Sequence, residues 1–173
     1  MKRIAMVVAL LWITGCGEGP KHLSRSDYEH GKNLFDTLRM YENMSKDTLS
    51  NQETLSSLTE IEVRSAELKD ERLKRDLRNY SISVLYKAMA CNRRKLAAQH
   101  IATGDADPGG NYWNNVEIMA STESSDLGSI IKRCHNDAAQ YFDANALNTN
   151  TCHDKLVKFE QEYKKTSLVD APN

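Results

Sequence analysis

The sequence predicts an all-α protein, a bundle of five or six helices, and three observations carry that expectation. No proline or glycine occurs between Lys32 and Thr103, and these residues are the strongest punctuation a chain has. Within that span Leu73, Leu77, Tyr80, Val84, Ala88 and Cys91 step by three and four, the spacing of one helical face. Valine, isoleucine and phenylalanine are sparse there, and no Asn-Gly or Asp-Gly turn separates alternating runs, so strands have little support.

The first helix is expected to begin at Ser24 or Ser26, where Ser26-Asp27-Tyr28-Glu29 has the form of a capping box. Tyr28, Phe35, Leu38 and Tyr41 mark its buried stripe, and Gly31 weakens its early turns by roughly 1 kcal/mol relative to alanine. The pattern fades at Asn43 to Lys46. A second helix starts around Ser50 with Leu55, Leu58 and Ile61 inward. Helix length favours a break near Asp70, because ordinary globular helices seldom exceed about 25 residues. The third helix then runs to the loop Thr103–Asn111, which holds Gly104, Pro108, Gly109 and Gly110. Tyr112-Trp113 opens a short helix to about Ala120, and the serine-rich residues 121–125 separate it from the next. That next helix puts Leu127, Ile130 or Ile131, Cys134, Ala138 and Tyr141 on one face. After a polar turn at Asn148-Thr149-Asn150, a last helix carries Cys152, Leu156, Phe159 and Tyr163. Short connections between such helices make a bundle.

The N-terminus has another character. Lys2 and Arg3 precede an apolar run from Ile4 to Ile13, closed by Ile13-Thr14-Gly15-Cys16. A cationic start, a short apolar core and small residues before a cut define a secretory leader. The run is too short to span a bilayer, which takes about 20 residues. Ile13 to Cys16 resembles the lipobox of bacterial lipoprotein signal peptides. That resemblance implies lipidation of the Cys16 sulfur, cleavage before it, acylation of its amine, and stable anchoring by several acyl chains. Gly17 stands where an inner-membrane retention signal would place Asp, so the resemblance further implies the outer membrane, facing the periplasm. The expected organisation is a leader over residues 1–15, a flexible tether over 16–24, one helical domain over 25–166 and a loose tail over 167–173.

Removal of the leader leaves 158 of the 173 residues, enough for one cored domain. It also removes two of the 23 cations and none of the 24 anions, so the net charge moves from −1 to −3. Such a chain carries no global footprint for nucleic acid, and any binding must use local patches. The periplasm is oxidising, so two of Cys91, Cys134 and Cys152 should pair. We expect Cys91 with Cys134, which would clamp the long loop; the alternative is Cys134 with Cys152, across the polar turn.

Chemistry-bearing patterns are few. Cys134-His135 and Cys152-His153 offer ligand types that zinc prefers, yet adjacent helical residues point about 100° apart, so we expect no metal there. Asp105-Ala106-Asp107 lies in a Gly-rich loop, but an EF-hand wants Asp or Asn where Gly109 stands and Glu where Val116 stands. No cofactor is expected. There is no G-x-S-x-G elbow, H-E-x-x-H pair or phosphate loop, so an enzyme is the minority expectation. Arg72, Arg75, Arg93, Arg94 and Lys95 make the third helix locally basic and are the expected face for a protein partner. The functional expectation is a lipid-anchored, periplasm-facing binding or adaptor protein, for example an immunity or inhibitor protein or an accessory of envelope assembly or secretion. The rivals are a metal binder or enzyme using the Cys-His pairs, and a structural spacer or oligomerisation unit.

Overall fold

Leu73, Leu77, Tyr80, Val84 and Ala88 are all fully buried, and the helix that carries them is the axis of the molecule. The structure is a computed structural model that describes residues 23–104 and 111–169, with side chains through 163. The described residues form six helices and no strand: α1 (Arg25–Glu42), α2 (Lys46–Leu49), α3 (Gln52–Ser65), α4 (Glu71–Thr103), α5 (Tyr112–Ala139) and α6 (Cys152–Val169). The all-α bundle expected from the sequence is therefore the observed fold.

Ser24 caps α1, its Oγ accepting from the Asp27 amide at 3.0 Å. Glu29 is drawn to Arg25 at 2.8 Å and takes no part in a capping box. Leu34, Phe35 and Leu38 are the buried stripe, while Tyr28 is 44% exposed and meets Phe142 edge-on. Gly31 serves a close approach: a Cβ there would lie 2.9 Å from Leu73 Cδ2 and 3.2 Å from Phe142 Cζ. The fading stretch after α1 contains the single-turn α2, capped by Ser45. A break does occur before α4, where Asp70 accepts from the amides of Arg72 and Leu73 at 3.1 and 2.8 Å. Gly104 closes α4 in the left-handed region, at φ 66°.

Two sequence expectations need correction here. Residues 121–125 do not separate two helices; α5 passes through them without a break. Thr122 bonds back to the Ile118 carbonyl at 3.1 Å, and buried Ser124 sits in the seam with α4, its Oγ 3.7 Å from Cys91 Sγ. Small polar residues fit a close helix pair once they satisfy their hydroxyls locally. The last helix also continues through Val169, past the expected start of the tail at Ser167.

Contacts fix the directions. Gly31 of α1 meets Leu73, and Glu42 at its end meets Tyr80, so α1 runs parallel to α4. α3 returns antiparallel, with Ser50 near Asn92 and Glu62 on Arg78. α5 is antiparallel to α4 from Glu117–Arg94 down to Tyr141–Asp76. α6 rises parallel to α4, from pairing with Cys134 to Tyr163 beside Arg93. The base of the bundle thus gathers the starts of α1, α4 and α6 and the ends of α3 and α5. Leu23, the first described residue, packs onto the core at that base.

The disulfide joins Cys134 to Cys152, with Cα atoms 4.7 Å apart, and Cys91 remains a buried thiol. The expected Cys91–Cys134 bond is thereby replaced by its alternative. The reason is register: Cys91 lies beside Ser124, about ten residues up α5 from Cys134. Close by, buried Asp137 accepts from the amide and hydroxyl of Thr149 and from the amides of Asn150 and Cys152, at 2.6 to 2.9 Å. One carboxylate therefore folds the connecting turn and caps α6.

Asp137→Ala should lower unfolding free energy by about 2–4 kcal/mol, since buried amides lose their acceptor. Cys134→Ser with Cys152→Ser should cost about 3 kcal/mol through the reopened loop. Urea denaturation at neutral pH measures both, and peptide mapping of the unreduced chain should find Cys91 alkylated but Cys134 and Cys152 linked.

Candidate functional site

α4 has 33 residues and spans about 50 Å, whereas α1 has 18 and spans about 27 Å. Starting from the same base, α1 ends well below the top of α4. The start of α3, the single turn of α2, the start of α5 and the end of α6 accompany α4 further. The last α4 residue that is buried is Ala97, and the first on α5 is Ala120. Beside and beyond them the hairpin carries exposed Leu96, Ile101, Tyr112 and Ile118, at 46, 41, 44 and 64%. His100 stacks flat on Trp113 with centroids 4.0 Å apart, and Tyr112 meets Trp113 edge-on. This end, opposite the base where the described chain enters, gathers four of the exposed large apolar side chains among the described residues.

The five basic residues expected to form one partner face do not sit together. Arg75 holds buried Asp76 at 2.9 Å near the base, and Arg72 is exposed beside it. Arg93 is an internal clamp: its guanidinium binds Glu123 of α5 and the Tyr163 hydroxyl of α6. Arg94 and Lys95 point instead to a groove of about 470 Å³ between α2, α4 and α5, whose lining includes Lys46, Ala98, Ala102 and Glu117. The expected face therefore separates into a basal pair, a structural clamp and a distal pair. The signal that could have divided it is angular. Arg75 and Arg93 are eighteen residues apart, five full turns, and so share a stripe that α6 runs beside.

The most strongly perturbed ionisable groups lie inside the bundle. Tyr80 donates to Glu42 Oε2, and His135 Nδ1 stands 2.8 Å from the same oxygen and 3.1 Å from the Tyr80 hydroxyl. Burial raises the Glu42 carboxyl, but the hydrogen bonds from His135 and Tyr80 and the charges of His135 and Lys87 prevail and hold it below its ordinary value. Burial, then the bond and charge of Glu42, drive the Tyr80 phenol far up. Tyr141 is raised in the same way by burial and Asp76, and burial with Glu160 pushes Tyr86 up to about 12. Phenols shifted upward are weaker acids and stay protonated at neutral pH, and these bonds tie α1 to α5, α4 to α5 and α4 to α6. Sequence reasoning missed this network, whose partners lie up to 93 residues apart.

The two Cys-His pairs resolve as the 100° argument requires. Their sulfurs bond to each other, His135 swings to Glu42, and His153 is solvent-exposed. Cys16 and the Asp105-Ala106-Asp107 loop lie outside the described residues. No helix among the described residues is long and apolar enough to cross a membrane. No protein-family model matches the chain, and no curated protein or solved structure matches it either.

A group with a depressed folded-state pKa contributes stability above its unfolded value and loses it as pH falls through the folded one. Glu42 should therefore contribute at neutral pH, and its contribution should fade below about 4.5. Chemical denaturation from pH 6 to pH 3 should give a shallower acid-side slope for Glu42→Gln than for the parent chain.

Proposed function

We propose that this chain is a lipid-anchored, periplasm-facing binding or adaptor protein whose bundle displays the far end of the α4–α5 hairpin to a protein partner. The observation that carries the reading is the opposition of the two ends. The described chain enters at the base through Leu23, and Leu96, Ile101, Tyr112 and Ile118 stand exposed toward the other end of a helix about 50 Å long, while Tyr28, Val63 and Leu147 are exposed nearer the base. An anchor at Cys16 is seven residues from Leu23, a tether of at most about 25 Å. The base then faces the lipid, and the hairpin end reaches outward to where a partner can approach. Immunity or inhibitor protein, envelope-assembly factor and secretion accessory are narrower forms of this reading that differ in the partner.

The length of α4 also supports a second reading, a spacer that holds two layers of an envelope assembly apart. It requires no exposed apolar end, and Tyr112, Ile118 and Leu96 therefore favour the adaptor.

Metabolic labelling with palmitate, followed by affinity isolation from detergent-solubilised envelope, tests both halves of the proposal. The tagged wild type should take up label and retain a stoichiometric partner, while Cys16→Ser should take up none. An unlabelled wild type ends the anchor. A labelled wild type with no stoichiometric partner ends the adaptor.

A further inference from the structure

Three recesses compete as recognition sites. The slot between α4 and α6, with Tyr86, Met89, Phe159 and Tyr163, holds only about 170 Å³, and Arg93 and Glu160 on its wall are engaged within the bundle. The recess near the base, with Lys74, Arg75 and Arg78, has all three cations in ion pairs with Glu71, Asp76 and Glu62. The groove beside α2 differs from both. It is the largest of the three, at about 470 Å³, and it opens to solvent along one side.

Its chemistry is asymmetric. Lys46 from α2 and Lys95 from α4 have no carboxylate within ion-pair distance among the described residues. Arg94 holds Glu117 at 3.5 Å across a bridge 42% and 36% exposed at its two ends. Such a bridge is worth little and exchanges readily for another carboxylate. Among the described residues Asp47 and Glu117 are the acids on the lining, so the described cations exceed the described anions there by one, in a chain whose net charge is negative. Between the charges the α4 wall is exposed Ala98 and Ala102, one turn apart, where a second backbone can come close.

We propose that this groove receives an acidic segment of the partner protein, its carboxylates on Lys46, Arg94 and Lys95 and its small or apolar side chains over Ala98 and Ala102. The inference rests on the adaptor reading and specifies its site and the chemistry of its partner. An open trough suits a length of polypeptide, which covers the alanines while keeping its acids at the rim. The position suits it too, because the groove lies toward the end of the bundle away from the base. A lipid surface at the base cannot reach it, and opposite charge speeds encounter with an acidic segment.

Photocrosslinking in the native cell tests this on the full-length chain. A photoreactive residue replaces Gln99, on the groove wall, and in a control replaces Val63, 64% exposed on α3 near the base. Gln99 should yield one adduct whose crosslinked peptide is rich in Asp and Glu, and Val63 should not yield it. Lys46→Glu with Lys95→Glu should reduce that adduct by about tenfold or more; both side chains are exposed, so the fold is kept. An adduct to a non-acidic segment, an adduct to a second copy of this chain, insensitivity to charge reversal, or no adduct at Gln99 each overturns the groove. A stoichiometric partner that co-purifies but does not crosslink at Gln99 overturns the groove alone. Absence of any partner overturns the adaptor reading as well.

Discussion

The constraint on which everything else depends is a mismatch of length. α4 is a 33-residue helix in a molecule whose other helices at the base, apart from the 28-residue α5, have 14 or 18 residues. Burial is the main source of stabilisation, and each apolar turn of α4 needs a neighbour. α1 and α3 supply it for Leu73 to Ala88, and α5 follows α4 for almost its full length. Where α1 and α3 end, α4 is accompanied by α5, by the single turn of α2 and by the end of α6. That stretch turns to alanine, arginine and glutamine on its open side. The groove beside α2 is thus what a long helix leaves where its cover runs out.

At the base the problem is reversed, because many helix ends crowd together and their amides and carbonyls need partners. Three buried aspartates answer it. Asp27 accepts from the Lys69 amide across the α3–α4 connection at 3.0 Å, Asp76 accepts from the Tyr141 hydroxyl at 2.9 Å, and Asp137 folds the turn into α6. A buried carboxylate is costly unless fully hydrogen-bonded. Each of these is bonded to a different pair of elements, so together they set the register of the bundle at the end where the disulfide also lies.

The sequence shows the fold clearly wherever one face of a helix is buried. The stripe from Leu73 to Cys91 and the face from Leu127 to Tyr141 could be read because burial imposes a period on residue type. The uninterrupted α5 could not, since serines 121, 124 and 125 carry the composition of a loop. Only the nearness of Cys91 shows why Ser124 belongs in a helix seam. The disulfide depends on the axial offset between α5 and α6, which is set by the Asp137 turn and leaves no periodic trace. Of the expected partner face, Arg94 and Lys95 lie at the surface near the groove, and Arg72 and Arg75 at the surface of the base. Arg93 is instead engaged within the bundle, because its neighbours Glu123 and Tyr163 come from elements thirty and seventy residues away.

The shared direction of α1 and α4 has a mechanical consequence. A pull applied between the chain's entry at the base and the far hairpin acts along both helix axes in opposite senses. It slides α1 against α4 and must displace Leu34, Phe35 and Leu38 together, with the Glu42–Tyr80 bond at the end of the row. Had the two helices run antiparallel, the same pull would have opened the contact one turn at a time. The Cys134–Cys152 bond lies off this path, so the molecule's resistance to tension rests on packing along α1 and not on its covalent link.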